Sequence, residues 1–143
     1  MKTLKQLLAE KQGPLAVVSP QDTVLHALTV MAQHDVGALL AMDGEQLVGI
    51  FSERDYARKI ILQGKSSKET LVRDIMSDKV AFVTPSYTLP DCMALMTEKH
   101  FRHLPVLDDD GAVLGIISIG DLVKETISEQ QFIIGQLENY IAG

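Results

Sequence analysis

Apolar positions recur along this chain in two rhythms. Val24, Ala27, Leu28 and Met31 fall at i, i+3, i+4 and i+7, and so do Leu89, Cys92, Met93 and Met96, the spacing that lines one face of a helix. Thr88 stands where an N-cap would, with Asp91 three residues on and Pro90 tolerable in the first turn. Two short apolar runs follow each of these helices: GALLAM then QLVGIF, and HLPVL then AVLGIIS. Each pair is joined by an Asp/Gly turn and reads as two strands. The runs are continuous rather than alternating, which predicts strands covered on both faces. A further helix is predicted after each second strand. SEQQFIIGQLENYIAG then spaces Ile133, Ile134, Leu137 and Ile141 along one last helical face, which packs on its own chain or on a second copy.

These elements are one unit written twice. Ser19-Pro20 aligns with Thr84-Pro85 at an offset of 65, as do Thr23 with Thr88, Met31 with Met96 and Leu39 with Leu104. After the acidic turn the offset is 66, aligning Gly49 with Gly115, Ser52 with Ser118 and Asp55 with Asp121. Even the lead-in repeats loosely, TLKQLLAEK against LVRDIMSDK. The order strand, helix, strand, strand, helix therefore occurs in duplicate. The expected organisation is a first unit at 3–64, a linker at 65–71, a second unit at 72–127 and a C-terminal helix at 128–143.

Composition narrows the function classes. At 46% hydrophobic and 22% charged, 143 residues suit one compact domain or two half-domains sharing a core. No stretch approaches the ~20 apolar residues of a membrane helix, and MKTLKQLLAEKQG lacks the apolar core of a signal peptide. A cytoplasmic protein is expected. The single cysteine, Cys92, fits a reducing compartment. A net charge of -6 argues against a general nucleic-acid binder. Positive charge is nonetheless gathered locally at Arg54, Arg58, Lys59, Lys65 and Lys68, which leaves room for an anionic small ligand.

Enzyme readings are weak. Cys92 with His100 or His103 could form a nucleophile pair, but Cys92 takes the place of Ala27 on an apolar helix face and reads as an inert thiol. A metal site from His100, His103 and the Asp108 to Asp110 run lacks a defined ligand spacing. His26 and His34 suggest surface or capping roles. The repeated Ser-x-x-Asp of GIFSERDYA and GIISIGDLV stands out more. On spacing alone it is a capping box, serine accepting from the helix's third amide and the acid reaching back to the serine N–H.

The run VTPSYTLPDCMALMTEKHFRHLPVLDDDGAVLGIISIGDLV resembles a cystathionine-beta-synthase (CBS) domain, and the first unit resembles another. Together they are similar to a stand-alone tandem CBS pair, or Bateman module, over nearly the whole chain. The resemblance implies a mixed α/β (α+β) fold of two βαββα units packed through their sheets around a pseudo-two-fold axis, with clefts between them and a helix appended. It implies a regulatory protein and not an enzyme, a homodimer, and an adenine-containing ligand: AMP, ADP, ATP, S-adenosylmethionine or NAD(H). Any protein partner would be met in trans.

Residue by residue, the resemblance implies ribose contacts from Asp55 and Asp121, with Ser52 and Ser118 in support. A carboxylate can accept both protons of a cis-diol. Phosphate would fall to Arg54, Arg58, Arg102 and His103, arginine offering a planar fork. The base would meet Val17, Phe82, Gly37, Ala38 and Pro105. Val17 and Phe82 replace a threonine usual in the family, so an apolar wall is expected where a hydroxyl often stands. Gly37-Ala38 occupies the places of Arg102-His103, so the two sites are expected to differ. The competing expectation is a ligand-free dimeric adaptor.

Overall fold

A computed structural model describes residues 1–11 and 14–142. The chain runs α1 (Leu4–Glu10), β1 (Val17–Val18), α2 (Val24–His34), β2 (Ala38–Asp43), β3 (Gln46–Ser52), α3 (Glu53–Asp55), a π-helical segment (Tyr56–Ile61), α4 (Val72–Ile75), α5 (Leu89–Lys99), β4 (His103–Leu107), β5 (Val113–Ser118) and α6 (Ile119–Ala142). It divides into two compact units. Gly13–Ala81 forms one, and Met1–Gln12 joins Phe82–Gly143 to form the other.

In the Gly13–Ala81 unit the sheet order is β1-β2-β3, with β1 parallel and β3 antiparallel to β2. Ala38 to Ala41 are all buried, as the continuous apolar run predicts for a strand covered on both faces. Thr23 caps α2 through its side chain, accepting from the His26 N–H at 3.1 Å. The apolar face of α2, Val24, Ala27 and Met31, packs into one cluster with Phe51, Ile60, Val72 and Ile75. The segment expected as a linker is pinned to the start of α2: Val24 and Leu25 donate to the carbonyls of Thr70 and Ser67 at 2.9 Å each.

In the other unit β4 and β5 form an antiparallel pair, and α5 carries the expected capping box, Thr88 and Asp91 bonding reciprocally at 3.1 and 3.0 Å. Leu4, Leu7, Val83, Leu89, Cys92, Met96, Leu104, Val106, Ile117 and Leu122 are buried. The strand expected near Phe82-Val83 is reduced to one parallel bridge, Val83 to Val106. The repeat explains the loss. Val17 to Leu40 and Val18 to Ala41 pair in the first copy, and the counterpart of Leu40 is Pro105, which has no N–H to give a second parallel pair.

Two glycines show what the lead-in segments do. A Cβ at Gly115 would lie 2.7 Å from Leu8 Cδ2, and one at Gly49 would run into the Met76 thioether. Leu8 and Met76 hold matching places in the two lead-ins. Each lead-in thus lies against the β-strand of the repeat it does not precede: α1 on β5, and the end of α4 on β3. The helix expected after Ser52 is a single α-turn continued by wider π turns, with Lys65 N–H reaching back five residues to the Ile60 carbonyl at 3.0 Å. After Ser118, by contrast, α6 continues unbroken through the C-terminal helix.

Candidate functional site

The twin motifs sit at strand-to-helix corners built alike. Ala38 lies in register with Ser52, and His103 with Ser118. The first N–H after each serine closes the corner. Glu53 donates to the Gly37 carbonyl at 3.0 Å, and Ile119 donates to the Arg102 carbonyl at 2.8 Å. The backbone therefore brings Gly37, Ala38, Ser52, Arg54 and Asp55 around one corner, and Arg102, His103, Ser118 and Asp121 around the other. Arg58 stands one turn further on, in the π-helical segment.

Both motifs form the capping box that their spacing allows. The Asp55 N–H donates to Ser52 Oγ at 3.3 Å, while the Ser52 N–H and hydroxyl both donate to Asp55 Oδ2 at 3.0 Å. In the second copy the Asp121 N–H donates to Ser118 Oγ at 3.1 Å and the Ser118 N–H donates to Asp121 Oδ2 at 2.8 Å. Capping leaves charge to be balanced, and a different lysine does so in each copy. Lys59 lies 3.2 Å from Asp55 Oδ1 and also donates to the Ile75 carbonyl at 2.9 Å. Lys11 lies 2.8 Å from Asp121 Oδ2 and donates to the Ile116 carbonyl at 2.8 Å.

The carboxylates differ in access. The Asp121 side chain is 28% exposed and that of Asp55 only 13%. Partial burial pushes the Asp121 pKa up, but the Lys11 ammonium and the Ser118 bonds together outweigh it and hold the carboxyl below its usual range. Among the described residues, the bonds to Asp121 fall on Oδ2. A partly open carboxylate of this kind can accept a hydroxyl proton. A pocket of about 280 Å³ in the same unit borders Asp121 and Lys11 and is lined also by Lys2, Leu7, Glu10 and Glu125. Lys124 and Ser128 complete the lining, and Lys2 lies 2.7 Å from Glu10 and 3.6 Å from Glu125.

The remaining candidates are placed as follows. Val17 and Phe82 are 41% and 50% exposed, while their neighbours Val18 and Val83 are buried, so each presents an apolar side chain outward from a sheet edge. Pro105 is buried in β4, opposite Ile116, and its carbonyl accepts from Val83 at 3.0 Å. Arg54, Arg58 and Arg102 are exposed and His103 is half-buried. Cys92 is buried, and desolvation pushes its thiol up to about 11. Among the described residues no group of three or more His, Cys, Asp or Glu side chains could hold a metal ion.

From the sequence, Lys59 is read only as one of a cluster of positive charges and Lys11 is not singled out; neither is paired there with a carboxylate, as both are in the structure. Lys59 had a signal, since it stands four residues after Asp55, where a helix or wide turn brings oppositely charged side chains together. Lys11 had none, because 110 residues separate it from Asp121.

Comparison with known proteins gives a consistent picture. The CBS-domain family profile matches residues 9–62 and 72–128. The mitochondrial CBS domain-containing protein CBSX3 of Arabidopsis thaliana is 47% identical over 127 residues, 85% of this chain. The chain spans 61% of that relative's length. A solved structure of a protein with CBS domains from Burkholderia ambifaria superposes with a TM-score of 0.85 at 49% identity, covering 90% of this chain and 96% of that one. The CBS domain pair of the protein MJ0100, solved in complex with 5'-methylthioadenosine and S-adenosyl-L-methionine, shares the fold at a TM-score of 0.79 and 22% identity, covering 90% and 98%.

Proposed function

The chain belongs to the CBS-domain family, carrying two copies of the domain, and on that premise we propose that it is a homodimeric regulatory sensor of adenine nucleotides. AMP, ADP, ATP and NAD(H) are the ligands in view. The observation that carries the reading is the Ser118 to Asp121 corner, where an ionised and partly open carboxylate stands beside Arg102 and His103. Asp121 receives the ribose diol with Ser118 in support, and Arg102 and His103 receive phosphate. Asp55 and Ser52, with Arg54 and Arg58, form the weaker counterpart, since Asp55 is the more buried carboxylate and Gly37-Ala38 replaces Arg102-His103. Val17, Phe82, Gly37, Ala38 and Pro105 supply the apolar contacts for the base. That the fold can hold adenosine compounds is supported by the MJ0100 complex.

Sensing follows from linkage. A ligand that binds one conformation better than another shifts the population by that difference and changes the surface offered to a protein partner in trans. The test is calorimetric titration with AMP, ADP, ATP, NAD, NADH and S-adenosylmethionine, with thermal melts alongside. A true ligand at about 100 times its Kd adds about 2.7 kcal/mol of stability. Asp121→Ala is expected to abolish binding at the second corner with the fold retained, and Asp55→Ala to weaken it less. Parent-like affinity in Asp121→Ala refutes the ribose assignment.

One observation favours a second reading, a ligand-free dimeric adaptor: both aspartates already serve a helix cap and a lysine. That reading predicts no thermal shift with any nucleotide.

A further inference from the structure

Helix α6 has two faces with different fates. Leu122 and Glu125 are buried in their own unit. Val123, Ile127, Ile134, Leu137 and Ile141, by contrast, are 44 to 82% exposed. With Gln130 these residues step along the helix by four, three, four, three and four. The alternation of four-residue and three-residue steps is the pattern of a coiled-coil seam.

We propose that this seam docks on the same seam of a second copy, the two helices running antiparallel across a two-fold axis at Phe132. It gives the homodimer of the proposed function a surface, and it does not depend on the ligand. In that register every layer closes. Val123 of one copy meets Ile141 of the other, Ile127 meets Leu137, and Gln130 meets Ile134, with the same pairs repeated by symmetry. The seam runs about 27 Å at 1.5 Å per residue.

The flanks decide the direction. On one side the antiparallel register sets Lys124 of each copy against Glu138 of the other and places Gln131 beside its own copy. On the other it sets Ile133 against Ile133, with Thr126 near Tyr140. Lys124, Glu138, Ile133 and Tyr140 are all exposed in the single chain, so each has a partner to gain. A parallel register instead sets Glu138 beside Ile133 and keeps Lys124 and Glu138 about 21 Å apart along the axis. Opposite charge and apolar continuity both favour the antiparallel arrangement.

The full chain, measured by light scattering after gel filtration across a range of concentrations, is expected at twice 15.7 kDa. Ile134→Lys combined with Leu137→Lys is expected to run as a monomer, with its circular dichroism and its nucleotide titration unchanged. Lys124→Glu creates two like-charge contacts across the axis and is expected to weaken the dimer about tenfold. Adding Glu138→Lys reverses both charges and is expected to restore it. A monomeric parent, or a dimer that survives both lysines in the seam, overturns the proposal. Failure of Glu138→Lys to rescue Lys124→Glu overturns the antiparallel register. A parent that dimerises as described but binds no nucleotide refutes the sensor and leaves this interface standing.

Discussion

Gly115→Ala is the sharpest probe of how the lead-in segments are used. The added methyl would sit 2.7 Å from Leu8 Cδ2, so the leucine must withdraw by most of an ångström to reach ordinary contact. Overpacking of this kind costs about 1–3 kcal/mol. Against it stands the gain of roughly 0.5–1 kcal/mol when a strand glycine becomes alanine. The net expectation is a loss of about 1 kcal/mol. Leu8→Ala alone trims a half-buried side chain, for an expected loss of about 1–2 kcal/mol. In the double variant the collision is gone and the methyl fills part of the vacated space, so Gly115→Ala becomes neutral or stabilising in that background. The coupling is then about 1–2 kcal/mol, well above the roughly 0.5 kcal/mol within which independent sites add. Urea denaturation of the four proteins measures it, with the m-value checked for constancy. Additive losses refute the claim that α1 seats on β5 through this glycine. The same cycle at Gly49 and Met76 is expected to give a smaller coupling, because an unbranched thioether moves aside more cheaply.

Two further outcomes are expected. Asp121 has a depressed pKa in the folded chain, so its contribution to stability is present above the unfolded value near 3.8 and lost as pH falls through the folded one. Lys11→Met should therefore cost under about 1 kcal/mol at neutral pH, and that cost should shrink below pH 4; a penalty that does not change with pH refutes the ion pair. Cys92, buried with its thiol raised to about 11, should resist iodoacetamide at neutral pH in the native protein and react only on unfolding. Rapid labelling of the folded chain would show the thiol is not where the structure puts it.

Much of the fold was legible because it is written in local periodicity. The helices after Thr23 and Thr88, the strand pairs and the twin corners all follow from spacing and turn residues. The equivalence of Gly37-Ala38 and Arg102-His103 also came from the repeat, and strand register bears it out. The lost pairing at Phe82 was readable in principle from Pro105. What stayed hidden is non-local. Apolar positions in TLKQLLAEK say that Leu4 and Leu7 are buried, not that they are buried with residues of the second repeat. Lys11 reaches Asp121 by the same route. The capping box could be read from Ser-x-x-Asp, but which lysine would neutralise each carboxylate depends on where α1 lies.

The division of the chain into units also sets an order of events during synthesis. Gly13–Ala81 is contiguous, so all the residues of that unit are available once Ala81 leaves the ribosome. Met1–Gln12 must wait for Ile117 and Leu122, its companions in the buried core. At about 5–20 residues per second that wait lasts roughly 5–20 s, during which Leu4 and Leu7 have no cover. A nascent chain therefore carries Leu4 and Leu7 uncovered while the second repeat is being made, and that segment is where a ribosome-associated chaperone would find this protein.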